Sequence, residues 1–191
     1  MEKRTSTERS GKLDRTTKTE QRSPKRMRKQ SEYGRQLEEK QKVKEMYGMR
    51  EQQFKRFFSI ATRSREATGE ALLSILERRL DNVVYRLKLA ATRAQSRQIV
   101  VHGHIFVNGK KVYSPSYLVT AGDEVSLAPQ VEAKAGFLEQ VIDKRLNSGA
   151  KVPEWIELDK KGRKGRILRL PVRNDIQTPI EEHLIVELYS K

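Results

Sequence analysis

Between Arg78 and Lys111 the chain concentrates side chains that bind anions. Arg78, Arg79, Arg86, Arg93 and Arg97 follow one another closely, and Gln98 adds a neutral donor and acceptor. A guanidinium offers planar donors that fork onto phosphate or carboxylate oxygens. Arg93 and Arg97 are four residues apart, neighbours on one helical face. Lys110 and Lys111 come directly after Asn108-Gly109, a type I′ hairpin signal that projects the side chains following it. Groups that could make or break bonds do not assemble. There is no cysteine, hence no thiolate nucleophile, disulfide or thiolate zinc site. His102, His104 and His183 lack metal-ligand spacing with carboxylates, and the first two mark a helix-to-strand junction. Gly162-Arg163-Lys164-Gly165 is not a phosphate loop, and no Gly-x-Ser-x-Gly elbow occurs. Glu38-Glu39 and Glu181-Glu182 are adjacent pairs, which diverge by about 100° on a helix and read as surface charge balance. The expected chemistry is anion binding, with no enzyme activity, cofactor or metal.

The elements that must hold these cations are short. Leu80, Val83, Val84 and Leu87 repeat at helical spacing. Thr92 opens a second helix as its N-cap, with Gln95 completing a capping box and Gly103 as the stop. Residues 105–107 and 110–113 form the hairpin strands. Residues 117–119 and 124–127 supply two more, turning through Ala121-Gly122-Asp123. Asp81 and Asn82 are expected to brace the fold rather than bind ligand. Upstream, a helix runs from Ser31 to Gly48 and a second over residues 50–65. Phe54, Phe57, Phe58 and Ala61 form its core side, with Lys55 and Arg56 turned away. A third starts at Thr68 and continues its apolar face through Leu72, Ile75, Leu76 and Leu80. Downstream, residues 131–147 read as a helix, 155–158 as a strand, and 165–170 as a half-buried strand ended by Pro171. The apolar run 184–189 reads as a buried strand or docked segment folding back onto the helices before residue 77.

Charge decides the partner class. The net charge is +15, with 40 Lys and Arg against 25 Asp and Glu. Residues 1–65 hold 20 of those cations against 9 anions, so the excess lies at the front. A basic head on a nearly balanced body suits a polyanion, whose counterions are released on binding. Residues 1–30 carry only Leu13 and Met27 as large apolar side chains, too few to anchor on a membrane or to fold alone. They are expected to be a flexible basic tail, densest at Lys25, Arg26, Arg28 and Lys29. No run of roughly 18 apolar residues suggests a membrane span, and no apolar stretch near Met1 suggests secretion.

The order RRLDNVVYRL, TRAQSRQ, VHGHIFVNGKKV, then Pro115-Ser116 and Gly122-Asp123, resembles the RNA-binding module named after protein four of the small ribosomal subunit. The likeness extends to the segment from Ser31 to Phe58, to TGEALLSILERRLDNVVYRL, and to the carboxyl end from PEWIELD to EEHLIVELYSK. It therefore resembles the bacterial-type small-subunit protein four family, not only the shared module. One stretch departs: members usually open with Arg-Tyr-x-Gly-Pro, some with a four-cysteine zinc knuckle, and this chain has neither.

That resemblance implies an α+β protein: a helical first domain completed by a C-terminal β or loop segment, an inserted helix–hairpin module, and a disordered basic N-terminal tail. The expected divisions are residues 1–30, 31–77, 78–142 and 143–191. It implies a structural constituent of the small subunit that binds ribosomal RNA at a multi-helix junction and nucleates assembly. It also implies contact with neighbouring ribosomal protein five, an interface linked to accuracy. Expected RNA contacts are Arg78, Arg79, Arg86, Arg93, Arg97, Gln98, Lys110 and Lys111, joined by Lys42, Lys44, Arg50, Lys55 and Arg56. Lys25, Arg26, Arg28 and Lys29 fall where the family lines the messenger RNA's inward path. A ribosome in the cytoplasm is expected, with an organellar one as the alternative. Two rivals are a free RNA-binding regulator and an RNA-base enzyme; the flanking segments argue against the first, and the second lacks a catalytic domain.

Overall fold

The computed structural model describes residues 31–129, 145 and 151–190. The basic tail, with Lys25, Arg26, Arg28 and Lys29, and the helix expected over residues 131–147 lie outside that set, Arg145 excepted.

Helix α1, Glu32–Met46, starts where the Ser31 hydroxyl accepts the Gly34 N–H at 3.1 Å and stops before Gly48, whose φ is +59°. Only Gln36, Glu39 and Val43 are buried along it, a narrow and mostly polar seam. Helix α2, Glu51–Ala61, buries Phe54, Phe57 and Ala61 as their spacing predicts, and ends four residues earlier than the sequence suggests. Helix α3, Thr68–Glu77, is buried almost all round and is the axis of the helical part.

The apolar period running from Leu72 through Leu87 reads as one helix, but the chain breaks at Arg78-Arg79. Arg79 is extended, Leu80 N–H donates to Tyr117 O at 2.8 Å, and Val119 N–H donates to Arg78 O at 3.0 Å. Residues 117–119 are thus spent on a single bridge, Arg79 to Leu118, instead of forming the expected strand. Helix α4, Leu80–Arg86, and helix α5, Arg93–Val101, follow. The Thr92 hydroxyl accepts the Gln95 N–H at 3.1 Å as the capping pattern requires. Gln95 returns its bond to Ala91 N–H, one residue before the box position.

The sheet has order β2-β1-β3-β5-β4, all antiparallel. Strand β1 is Ile105–Val107, β2 Lys110–Val112, β3 Glu124–Leu127, β4 Ile156–Asp159 and β5 Lys164–Ile167. Asn108 and Gly109 both have positive φ, 50° and 73°, the I′ geometry that joins β1 to β2. Strand β5 stops at Ile167, opposite Ile156 where β4 begins, so Leu168 and Leu170 have no strand beside them and are exposed.

The C-terminal segment divides between the two parts of the molecule. Its strands extend the module's sheet, where the sequence reading sent the whole segment to the first domain. Only its end returns to α1 and α3, as helix α6, Glu182–Ser190. That end is a docked helix and not a strand. The β-branched Ile185-Val186 suggests a strand, yet Leu184, Leu188 and Ile185, Tyr189 recur at a spacing of four, and burial against two helices decides the outcome.

Two apolar cores result. One joins Leu80, Val83, Val84 and Leu87 of α4 to Ile99, Val100, Trp155 and the inward residues of the sheet. The other joins Val43, Phe54, Phe57, Leu72, Leu76 and Ile185. The α+β class and the long-range closure follow the sequence reading; the C-terminal part differs in being helical at its end.

Candidate nucleic-acid interface

The arginines that look alike in sequence separate into two populations. Arg79 is 0% exposed. Its Nε and Nη2 donate to the two Asp81 carboxylate oxygens at 3.0 and 2.5 Å, its Nη1 to Met49 Sδ at 3.1 Å, and its guanidinium lies 5.3 Å from the Phe57 ring centre. A fully buried, paired guanidinium offers nothing to an external phosphate, so Arg79 is removed from the expected RNA contacts. It joins α2 to the module instead.

Arg86 is mostly spent as well. Its Nε and Nη2 donate to the two oxygens of Glu77 at 3.0 and 2.7 Å, leaving its side chain 23% exposed. The Glu77 carboxylate, 1% exposed, also accepts Tyr47 Oη at 2.7 Å and Asn82 Nδ2 at 2.7 Å. Burial alone would raise its pKa; the Arg86 hydrogen bonds and charge, helped by Tyr47 and Asn82, overcome that and hold it below the usual carboxylate range. Burial and the same carboxylate push the Tyr47 phenol well above its ordinary value, so it stays a donor. Asp81 and Asn82 therefore brace the fold, as expected.

Arg93 and Arg97 stand at the margin of this network. Arg93 Nε donates to Asn82 Oδ1 at 2.9 Å, and its guanidinium lies 5.1 Å from the Tyr47 ring centre and 4.7 Å from that of Tyr85. Arg145 covers Tyr85 at 4.5 Å and also bonds Ala91 O, and its side-chain hydrogen bond to the Tyr85 phenol is what chiefly lowers the Tyr85 pKa. Arg97 donates to Gly48 O at 3.2 Å and approaches Asp81 at 3.9 Å, with its side chain 37% exposed. That bond sets α5 against the α1–α2 turn, two residues from the exposed Arg50. Arg78 is half-buried, its Nε donating to Val119 O at 2.9 Å, and burial lowers its pKa.

The open cations come from three elements. Arg50, at the start of α2, and Lys55 and Arg56 on its outer side are exposed and make no ion pair among the described residues. Gln98 is exposed on α5 beside Arg97. Lys110 and Lys111 are both exposed but diverge, as successive strand residues must. Lys111 pairs in register with Phe106 and lies against Gly103, just past the end of α5; Lys110 pairs with Val107 on the other face. Lys42 and Lys44 are less free. Lys42 bonds Glu39 and Pro179 O, while Lys44, 14% exposed, pairs with Glu51 at 2.7 Å. The arrangement is a basic face built on Arg50, Arg97, Gln98 and Lys111, underlain by a buried network that fixes α4 and α5 against α1 and α2. Guanidinium, ammonium and amide side chains of this kind have the donor chemistry of phosphate ligands. Among the described residues no group of His, Asp or Glu could hold a metal ion.

Residues 1–77 match the family described as the ribosomal protein S4/S9 N-terminal domain, and residues 78–125 match the S4 domain. The small ribosomal subunit protein uS4 of Natranaerobius thermophilus is 52% identical over 172 residues, covering 90% of this chain and 80% of the relative. The chain belongs to the uS4 family. The uS4 of Halothermothrix orenii is 50% identical across 87% of this chain and 78% of its own length. That of Thermoanaerobacter pseudethanolicus is 53% identical across 86% and 77%. The uS4 proteins are a ribosomal family with an RNA-binding domain and are not enzymes. No described helix is long and apolar enough to cross a membrane.

Sequence reasoning missed Tyr47, Glu77, Tyr85 and Arg145, which orient the face without belonging to it. One signal was present for Glu77: an acid beside two arginines at the end of a buried helix. Nothing local marks Tyr47, because its partner lies 30 positions away.

Proposed function

We propose that this uS4-family protein is a structural constituent of the small subunit of a bacterial-type cytoplasmic ribosome. It binds small-subunit ribosomal RNA at a multi-helix junction and nucleates assembly of the subunit body. The observation that carries this reading is the mounting of Arg50, Arg97, Gln98 and Lys111. They lie around α5 and are exposed or half-exposed, while the arginines behind them are neutralised by buried Glu77 and Asp81. Helices that cannot shift relative to one another hold phosphate ligands at fixed spacing. A folded junction, which presents its backbone at fixed spacing too, is the matching partner. Lys42, Lys44, Lys55, Arg56, Arg78, Arg86, Arg93 and Lys110 are the further RNA contacts of this reading. The family resemblance adds contact with ribosomal protein five, a contribution to accuracy, and messenger RNA contacts by Lys25, Arg26, Arg28 and Lys29.

The test is nuclease footprinting on purified small-subunit ribosomal RNA over a salt series. An Arg97→Glu/Lys111→Glu variant runs beside the wild type. Arg93 is kept intact because its removal would disturb Tyr47 and Asn82. Protection confined to one junction, surviving moderate salt and lost in the variant, supports the reading. Diffuse protection that collapses with salt and ignores both substitutions would reduce the protein to a general polyanion binder.

A further inference from the structure

The reading above uses only charge, yet one end of the basic face carries an aromatic ring that the fold leaves open. Tyr113, directly beyond β2, is 57% exposed. Its ring is fixed on two sides. A Cβ on Gly103, which sits at φ +69°, would stand 2.5 Å from Tyr113 Cε1 and 2.5 Å from Lys111 Cε, so both side chains lie directly on the glycine. The Lys111 ammonium is 5.1 Å from the ring centre, over one face. The ring is therefore oriented by backbone and by a cation, while more than half of its surface meets solvent.

A phenol held in this way adds little to the core, since the rings of Tyr47, Phe54 and Phe57 supply the apolar burial elsewhere. Tyr33 and Tyr117 are exposed too, at 59% and 39%, but neither has a cation over its ring among the described residues. Among the described residues Tyr113 alone combines exposure, a cation and a place at the end of α5.

We infer that Tyr113 is a stacking platform for one unpaired RNA base, with Lys111 placed to take a phosphate of the same strand. This rests on the ribosomal RNA reading and adds to it a contact that recognises single-stranded, unstacked nucleotides. Every base has a π-face, so the contact selects an extruded base over a paired one without selecting among the four.

Wild type, Tyr113→Phe, Tyr113→Leu and Tyr113→Ala are compared on small-subunit ribosomal RNA by filter binding and base-specific chemical probing. Tyr113→Phe should bind as wild type, and Tyr113→Leu and Tyr113→Ala about tenfold more weakly, within the range of one lost base stack. One base shielded by wild type and Tyr113→Phe should become reactive in the other two. The salt dependence of Tyr113→Ala should match wild type, because no phosphate contact is lost, while Lys111→Ala lowers the slope by about one. Thermal melting of the free proteins should be alike, since the ring is exposed. Junction protection by wild type with equal affinity for all four proteins would overturn the stacking role alone. A Phe variant as weak as the Ala variant would do the same, by showing that the hydroxyl acts. Wild type that protects no junction would overturn the ribosomal reading and this one with it.

Discussion

Arg79 shows what a charge does when its surroundings change. In water it would be one more phosphate ligand; enclosed by Asp81, Met49 and Phe57 it is a structural tie. Removing one partner of a buried pair strands the other, at a cost of about 3–5 kcal/mol, whereas replacing both with apolar groups is often nearly neutral. Arg79→Met should therefore destabilise strongly, and Arg79→Met/Asp81→Leu should recover much of the loss in urea denaturation. The double variant should also bind RNA as wild type once folded; clearly weaker binding would return Arg79 to the interface. Glu77 provides the pH counterpart. Its folded pKa is depressed, so its stabilising contribution is full above the unfolded carboxylate value of about 4.3 and fades as pH falls through the folded one. Melting curves between neutral pH and about pH 3 should thus fall less steeply for Glu77→Gln than for wild type, from a lower starting point. Parallel curves would mean that this carboxylate is not linked to folding.

Elements were legible where a local rule fixed them. Thr92 and Gln95 marked the start of α5, Gly48 and Gly103 the stops, and Asn108-Gly109 the hairpin, because each acts within four residues. What was not legible depended on distant partners: the break at Arg79 needs Leu118, and the helical form of α6 needs α1 and α3. The burial that separates Arg79 from Arg97 was hidden for the same reason. Gly165 shows how tight such a remote fit is. A Cβ there would overlap Leu87 Cδ2 at 2.0 Å, so the Leu87 side chain at the end of α4 packs directly on the backbone of strand β5. Gly165→Ala should cost about 1–3 kcal/mol by overpacking. In a Leu87→Ala background the same change should cost much less, a coupling that a double-mutant cycle measures directly. Additive losses would refute the close approach. A second element-scale clamp joins α1, α2 and α6: Glu51 accepts Lys44, Lys40 and Tyr189, and the Lys44 hydrogen bond chiefly brings its pKa down to about 2. Its contribution is present above about pH 4.5 and disappears as pH falls toward 2, where Glu51→Gln should melt like wild type.

Over the whole molecule, the helical part cannot close until the last residues arrive. Gln36 Nε2 donates to Glu187 at 3.0 Å across 151 positions, and Tyr189 stacks on Phe58 at 4.4 Å. The module's core, by contrast, is complete by Ile167. Removing residues 180–191 should therefore expose Val43, Phe54 and Leu72 while leaving the α4–α5 and sheet core covered. Native-state hydrogen exchange should show protection lost through α1, α2 and α3 and kept in α4, α5 and the sheet. The buried ties limit this independence: Arg79 and Glu77 lock Met49 and Tyr47 to the module, so loosening the helices also frees the side chains behind α5. The truncated protein should keep its phosphate ligands yet lose their fixed spacing, binding ribosomal RNA more weakly and with a blurred footprint. If truncation abolished protection everywhere, the two cores would be one cooperative unit. A sharp wild-type footprint from the truncated chain would mean that the module alone sets the spacing of the basic face, and that the long return of the chain serves stability only.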